Sequence, residues 1–143
     1  MVVGVAAPAQ GGETRGRAPR RRGGRREEPT MAKYLISFPS SAMNLSDEEL
    51  AAASEDSHAV AREAKAAGVW VFGGGIDESV PPVMVTGSGS VLETTYEQTR
   101  RIDGGFAVLD LATREEAQEW ARRIAVACRC AQEVRVFGDD PES

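Results

Sequence analysis

No leucine, isoleucine, phenylalanine, tyrosine or tryptophan occurs in residues 1–30, so any folded unit must be built from residues 31–143. A segment without such side chains cannot bury enough apolar surface to offset its ordering entropy, and residues 1–30 are expected to form a disordered tail. The same boundary divides the charge. Residues 1–30 carry seven Arg and three Glu, a balance of +4, whereas residues 31–143 carry ten basic and nineteen acidic groups, a balance of −9. The net charge of −5 is therefore an average over a basic tail and an acidic domain. All eight aromatic residues, the single His and both Cys lie beyond Met31. The folding unit is a single small domain, close to the size at which pairing with a second copy becomes useful.

The run Arg20-Arg21-Arg22-Gly23-Gly24-Arg25-Arg26 has the charge to meet nucleic acid. Two other readings weigh more: a solvated tail, or upstream sequence read from an early start codon before Met31. The run has no interleaved aromatics and the domain behind it repels phosphate, which argues against nucleic acid as the partner. An organellar transit peptide fits the arginines but is weakened by Glu13, Glu27 and Glu28. The apolar stretch Val2–Ala7 precedes the arginines, the reverse of a signal peptide. No stretch approaches the roughly 18 apolar residues of a membrane span. Cys128 and Cys130 do not make a disulfide framework. A reduced, cytoplasmic protein without membrane association is the expectation.

Along the domain, Lys33–Phe38 alternates with Tyr34, Ile36 and Phe38 on one face, and Pro39 closes this strand. Ser46-Asp47-Glu48-Glu49 is a capping box, predicting an alanine-rich helix to about Ala67 with Gly68 beyond its end. Val69–Phe72 reads as a short apolar strand opening into Gly73-Gly74-Gly75. Val83–Thr86 and Val91–Thr94 flank Gly87-Ser88-Gly89-Ser90 and predict a hairpin. Tyr96–Asp103 is polar and irregular, with room for one helical turn. Phe106–Leu111 alternates again, setting Phe106, Val108 and Asp110 opposite Ala107, Leu109 and Leu111. A second capping box, Thr113-Arg114-Glu115-Glu116, opens a helix with Ala117, Trp120, Ala121, Ile124 and Cys128 on one stripe. Val134, Val136 and Phe137 form the last strand, and an acidic, frayed end follows Gly138.

Two helices, each following a strand, suit a split βαβ layout with both helices on one face of a mainly antiparallel sheet. The other face would then stay apolar and uncovered, which predicts a homodimer.

Several chemistries are excluded by their missing motifs. The chain has no Gly-Lys-Ser/Thr phosphate loop, no dinucleotide fingerprint after a strand, no G-x-S-x-G elbow and no H-E-x-x-H. One His and a Cys-x-Cys pair cannot complete a tetrahedral zinc site, so neither metal nor cofactor is expected. The candidates that remain are His58, Arg62 and the acids Asp77, Glu78, Glu93 and Asp103, with Tyr96. His58 and Arg62, four residues apart, share a helix face. An imidazole beside a cation suits acid/base chemistry on an anionic substrate; amid Glu55, Asp56 and Glu63 it equally suits a solvated surface. Arg129 between Cys128 and Cys130 would lower a thiol pKa, against the plainer reading of two inert small residues.

The strings Lys33–Phe38, Ala66-Ala67-Gly68-Val69-x-Val71-x-Gly73-Gly74, Gly104–Asp110, Glu116-Ala117-x-Glu119-Trp120-Ala121 and Glu133–Val136 together resemble the YCII-related, or DGPF-domain, family over about residues 32–138. The resemblance implies a ferredoxin-like α+β fold that pairs into a dimeric α+β barrel. It also implies association with sigma factors for some relatives, and a cleft His and Asp as an enzymatic pair in one branch. His58 and Asp77 fall near those two positions. Where the family reads Asp-Gly-Pro-Phe, this chain has Glu93-Thr94-Thr95-Tyr96: the acid and the aromatic persist, and the turn formers Gly and Pro are gone.

Two functions follow as expectations. The favoured one is a dimeric module that binds a small ligand or regulates a partner, with Arg62, Glu93 and Tyr96 as ligand contacts. The alternative is a cofactor-free acid/base enzyme, with His58 and Asp77 catalytic and Arg62 holding the anion. A His58 that lines a pocket within hydrogen-bond reach of a carboxylate would favour the enzyme.

Overall fold

A computed structural model describes residues 30–143. The readings of a disordered tail, a transit peptide and an upstream start fall on residues outside that range.

The strand pattern of the sequence becomes a four-stranded antiparallel sheet. Strand β1 (Ala32–Phe38) leads through a single 3-10 turn at Ser40–Ala42 into helix α1 (Asp47–Ala66). Strand β2 (Trp70–Gly75) follows, and then a small separate hairpin of β3 (Met84–Val85) and β4 (Val91–Leu92). Another 3-10 turn at Glu97–Thr99 precedes β5 (Gly105–Leu111), helix α2 (Arg114–Cys128) and β6 (Glu133–Val136). The sheet order is β2-β5-β1-β6 with every neighbouring pair antiparallel. This α+β arrangement is compatible with a ferredoxin-like fold. Among the described residues, no helix is long and apolar enough to cross a membrane.

Both helices begin at the predicted caps. The Ser46 hydroxyl accepts the Glu49 N–H at 3.2 Å and the Thr113 hydroxyl accepts the Glu116 N–H at 3.1 Å, each satisfying one orphan first-turn donor. At the second cap the reach-back also forms, from Glu116 Oε2 to the Ala112 N–H at 3.2 Å.

Two-residue alternation then decides which face carries the core. Tyr34 and Ile36 from β1 and Ala107, Leu109 and Leu111 from β5 are buried against Ala64 of α1 and Ala117 and Ala121 of α2. Ile36, Leu109 and Leu111 are the largest fully buried side chains. Because the helices meet the sheet through alanines, their backbones lie close to it. Trp120 completes the stripe from half-buried positions, its ring lying under the Arg123 guanidinium at 4.6 Å.

The opposite sheet face carries no helix. Register sets Phe72, Val108, Leu35 and Arg135 in one row across all four strands, and Gly74, Phe106, Ser37 and Glu133 in the next. Phe72 is 62% exposed.

Three details depart from the sequence expectation. The glycine triplet does not interrupt β2 but belongs to it: Gly73, Gly74 and Gly75 pair with Ala107, Phe106 and Gly105 after a bulge between Trp70 and Phe72. The ladder with β5 holds them, where intrinsic strand preference would not. The hairpin strands shrink to two residues each, since the arm has no sheet to extend into. Helix α2 ends on Arg129 in the left-handed region, φ 57°, a place normally filled by glycine.

Candidate functional site

The first half of α1 stands off the sheet where the second half packs on it, and the gap is a cleft of about 330 Å³. Its walls come from separate parts of the chain. Phe38 ends β1, Trp70 begins β2, and Leu50, Ser57 and His58 share the inner face of α1. Cys128 and Gln132 close the far side from the end of α2 and the following loop. The floor is the end of the β2–β5 ladder, where Gly75 pairs with Gly105.

The lining contains no Asp, Glu, Lys or Arg. Its hydrogen-bonding groups are few and partly committed. Ser57 Oγ donates to the Ser54 carbonyl at 2.8 Å, so the hydroxyl proton is used within the helix and the oxygen remains an acceptor. Gln132 Nε2 donates to the Cys130 carbonyl at 3.2 Å and approaches its sulfur at 3.6 Å, leaving the amide oxygen as the accepting end.

Of the sequence candidates, His58 reaches the cleft, at its exposed rim. Among the described residues no carboxylate lines the cleft beside it. Arg62, one turn on, is exposed and does not line the cleft. Asp77 lies beyond the end of β2 and is engaged in a local turn, its Oδ1 accepting the Ser79 hydroxyl at 2.6 Å and the Ser79 N–H at 3.0 Å. Those two bonds hold its carboxyl below the usual carboxylate range. Glu93 follows β4 on the arm and is exposed. Tyr96 is 70% exposed at the start of the second 3-10 turn. The four residues Arg62, Asp77, Glu93 and Tyr96 thus stand outside the cleft that His58 borders.

Glu78 is exposed beside Asp77, and Asp103 has structural employment. Asp103 Oδ1 accepts the Ser40 N–H at 2.9 Å, tying the start of β5 to the end of β1, and this bond lowers its carboxyl pKa. The cysteines are not activated. Burial pushes the Cys128 thiol up to about 11 and the Cys130 thiol upward too, outweighing the neighbouring Arg129. Arg129 instead spends its charge on Asp56 of α1 at 3.0 Å. Among the described residues, no group of three or more His, Cys, Asp or Glu is gathered as a metal site would require.

Sequence reasoning found His58 but not its surroundings. Trp70, Phe38, Ser57, Gly75 and Gln132 converge from four segments, and no local spacing announces that. The one available signal was glycine inside a strand, a mark of close approach by a ligand or another backbone.

Comparison with protein families matches residues 32–137 to the YCII-related domain. Comparison with curated proteins gave no match.

Proposed function

The chain belongs to the YCII-related domain family, and from that premise we propose that it is a dimeric small-ligand-binding or regulatory module, its ligand held in the cleft between α1 and the sheet. The observation that carries this reading is the cleft's lining: aromatic and aliphatic walls with a short polar edge and no carboxylate beside the imidazole. That is the composition of a binding pocket, where a few polar groups orient a mostly apolar ligand. General acid/base work needs a second group to orient or balance the imidazole, and none of Asp77, Glu93 or Asp103 lines the cleft.

The uncovered face of the sheet supports pairing. Phe72, Val108, Leu35 and Phe106 form an apolar centre on one side of a small domain, and a second copy laid across it would complete a ferredoxin-like dimeric barrel.

The test is a thermal-shift screen of small molecules on the whole chain, repeated with Ser57→Phe, which fills the cleft from α1, and with His58→Ala. A ligand present at a hundred times its Kd stabilises by about 2.7 kcal/mol, an easily read shift for a domain this size. Hits that stabilise the wild type and not Ser57→Phe support the reading. Hits that stabilise both proteins equally refute it.

A further inference from the structure

The glycines in and beside the cleft differ in what the fold asks of them. A Cβ on Gly104, where φ is +85°, would strike the backbone of Phe38, Pro39 and Ser40. One on Gly105 would meet the Phe38 ring, at 2.8 Å from its Cζ, and one on Gly73 would run into the Trp70 ring. These three are glycines because the protein itself leaves no room. Gly75 is different. Its φ is not left-handed, and an added Cβ would meet only the Gly104 carbonyl oxygen at 3.4 Å, an ordinary contact. Gly75 ends β2 in a conformation that does not call for glycine, so the fold alone would accept a side chain there. Opposite Gly105 and one step beyond Ala107 on the helix-facing side of the ladder, that side chain would project into the cleft.

The walls and the polar edge restrict the occupant further. Phe38 and Trp70 offer ring faces, and nothing in the lining would neutralise a buried charge other than His58 at the rim. Ser57 and Gln132 present acceptor oxygens, Ser57 having donated to the Ser54 carbonyl and Gln132 to Cys130, while Ser54 and His58 stand at the exposed edge. An apolar cavity of roughly 150 Å³ holds benzene, so the 330 Å³ here suits one or two rings.

Resting on the reading of the cleft as a binding site, we infer that its ligand class is an uncharged planar molecule of one or two rings bearing a hydrogen-bond donor, of the phenol type. The ring lies over the bare backbone at Gly75, and the donor meets the Ser57 and Gln132 oxygens.

The probe is 2-naphthol, titrated against the whole chain by its intrinsic fluorescence. Three analogues each remove one property: 2-methoxynaphthalene lacks the donor, decahydro-2-naphthol lacks planarity, and 2-naphthoate adds charge. Each is expected to bind more weakly, the methyl ether by up to about tenfold for one lost hydrogen bond. Gly75→Val should keep its melting temperature and lose 2-naphthol by about tenfold or more, the usual penalty for overfilling a packed site. Gly75→Ala, which is sterically harmless to the fold, should lose less and in the same direction. Unchanged 2-naphthol affinity in both Gly75 variants, or preference for the saturated or anionic analogue, overturns the inference. The binding-site reading survives that result if Ser57→Phe still abolishes binding of the preferred analogue, and falls with it if Ser57→Phe has no effect on any of them.

Discussion

Gly104→Ala tests whether the junction between β1 and β5 is as tightly drawn as the structure has it. Gly104 sits at φ +85°, between Asp103, which ties back to Ser40, and Gly105, which opens β5. A Cβ there would lie 2.8 Å from the Ser40 nitrogen and 2.9 Å from the Pro39 carbonyl carbon, and closer still to the Phe38 carbonyl oxygen. All three are backbone atoms, which cannot swing aside as a side chain would. The left-handed conformation alone costs an alanine about 1–2 kcal/mol, and forcing the backbones apart adds about 1–3 kcal/mol. The total of about 2–5 kcal/mol is a large part of the roughly 5–15 kcal/mol that a domain has in hand. It also falls on the N–H that Asp103 accepts, so the substitution removes that bond as well. The internal control is Gly68→Ala at the end of α1, where φ is +75° and nothing lies within 4 Å of an added Cβ. That change carries the conformational penalty of about 1–2 kcal/mol without the collision. Equilibrium urea unfolding of both variants gives the comparison directly. A Gly104→Ala protein destabilised no more than Gly68→Ala would show that the chain path around Gly104 is wrong or soft.

Two further outcomes follow from the open face and the buried thiol. Val108→Asp places a charge at the centre of the uncovered sheet face without touching the core, and should convert a dimer to a monomer in sedimentation velocity; a wild type that sediments as a monomer at tens of micromolar removes the pairing proposal. Cys128 holds its proton longer in the folded chain than in the unfolded one, its thiol being raised by burial from 9.0 to about 11. Unfolding therefore releases a proton over that interval, and this contribution to stability is complete below about pH 9 and lost as pH rises towards 11. The urea midpoint of the wild type should accordingly fall more steeply than that of Cys128→Ala between pH 8.5 and 10.5, and parallel slopes would refute the assignment.

The parts of the fold that were legible in the sequence are those encoded locally. Tyr34 and Ile36, and Ala107, Leu109 and Leu111, announce a core face because alternation and burial share a two-residue period. Ser46 and Thr113 announce helix starts because their hydroxyls serve amides three residues on. Arg129 was not legible as a left-handed helix end, since its conformation is held by the Asp56 ion pair and by its guanidinium on the Ala127 carbonyl, neither visible in a string of letters. Asp77 stood out as an acid near a strand end, yet Ser79 two residues later takes up its carboxylate. A side chain that finds its partner within the same turn is spoken for before any tertiary site forms. The cleft lay furthest from view because its contributing segments meet through the sheet order β2-β5-β1-β6, which periodicity does not determine.

That order also joins the two parts of the molecule that have least to do with the core. Residues 76–103, the long connection carrying β3 and β4, leave the sheet at Gly75 and return at Gly104, where the Ile76 N–H donates to the Gly104 carbonyl at 2.9 Å. Val80, Val83, Val85, Val91 and Ile102 along this arm are each more than half exposed, and two strands of two residues cannot hold themselves in water. The arm's root is the same β2–β5 end that floors the cleft. A substitution at Gly75 therefore acts on the residue before the arm as well as on the cleft floor.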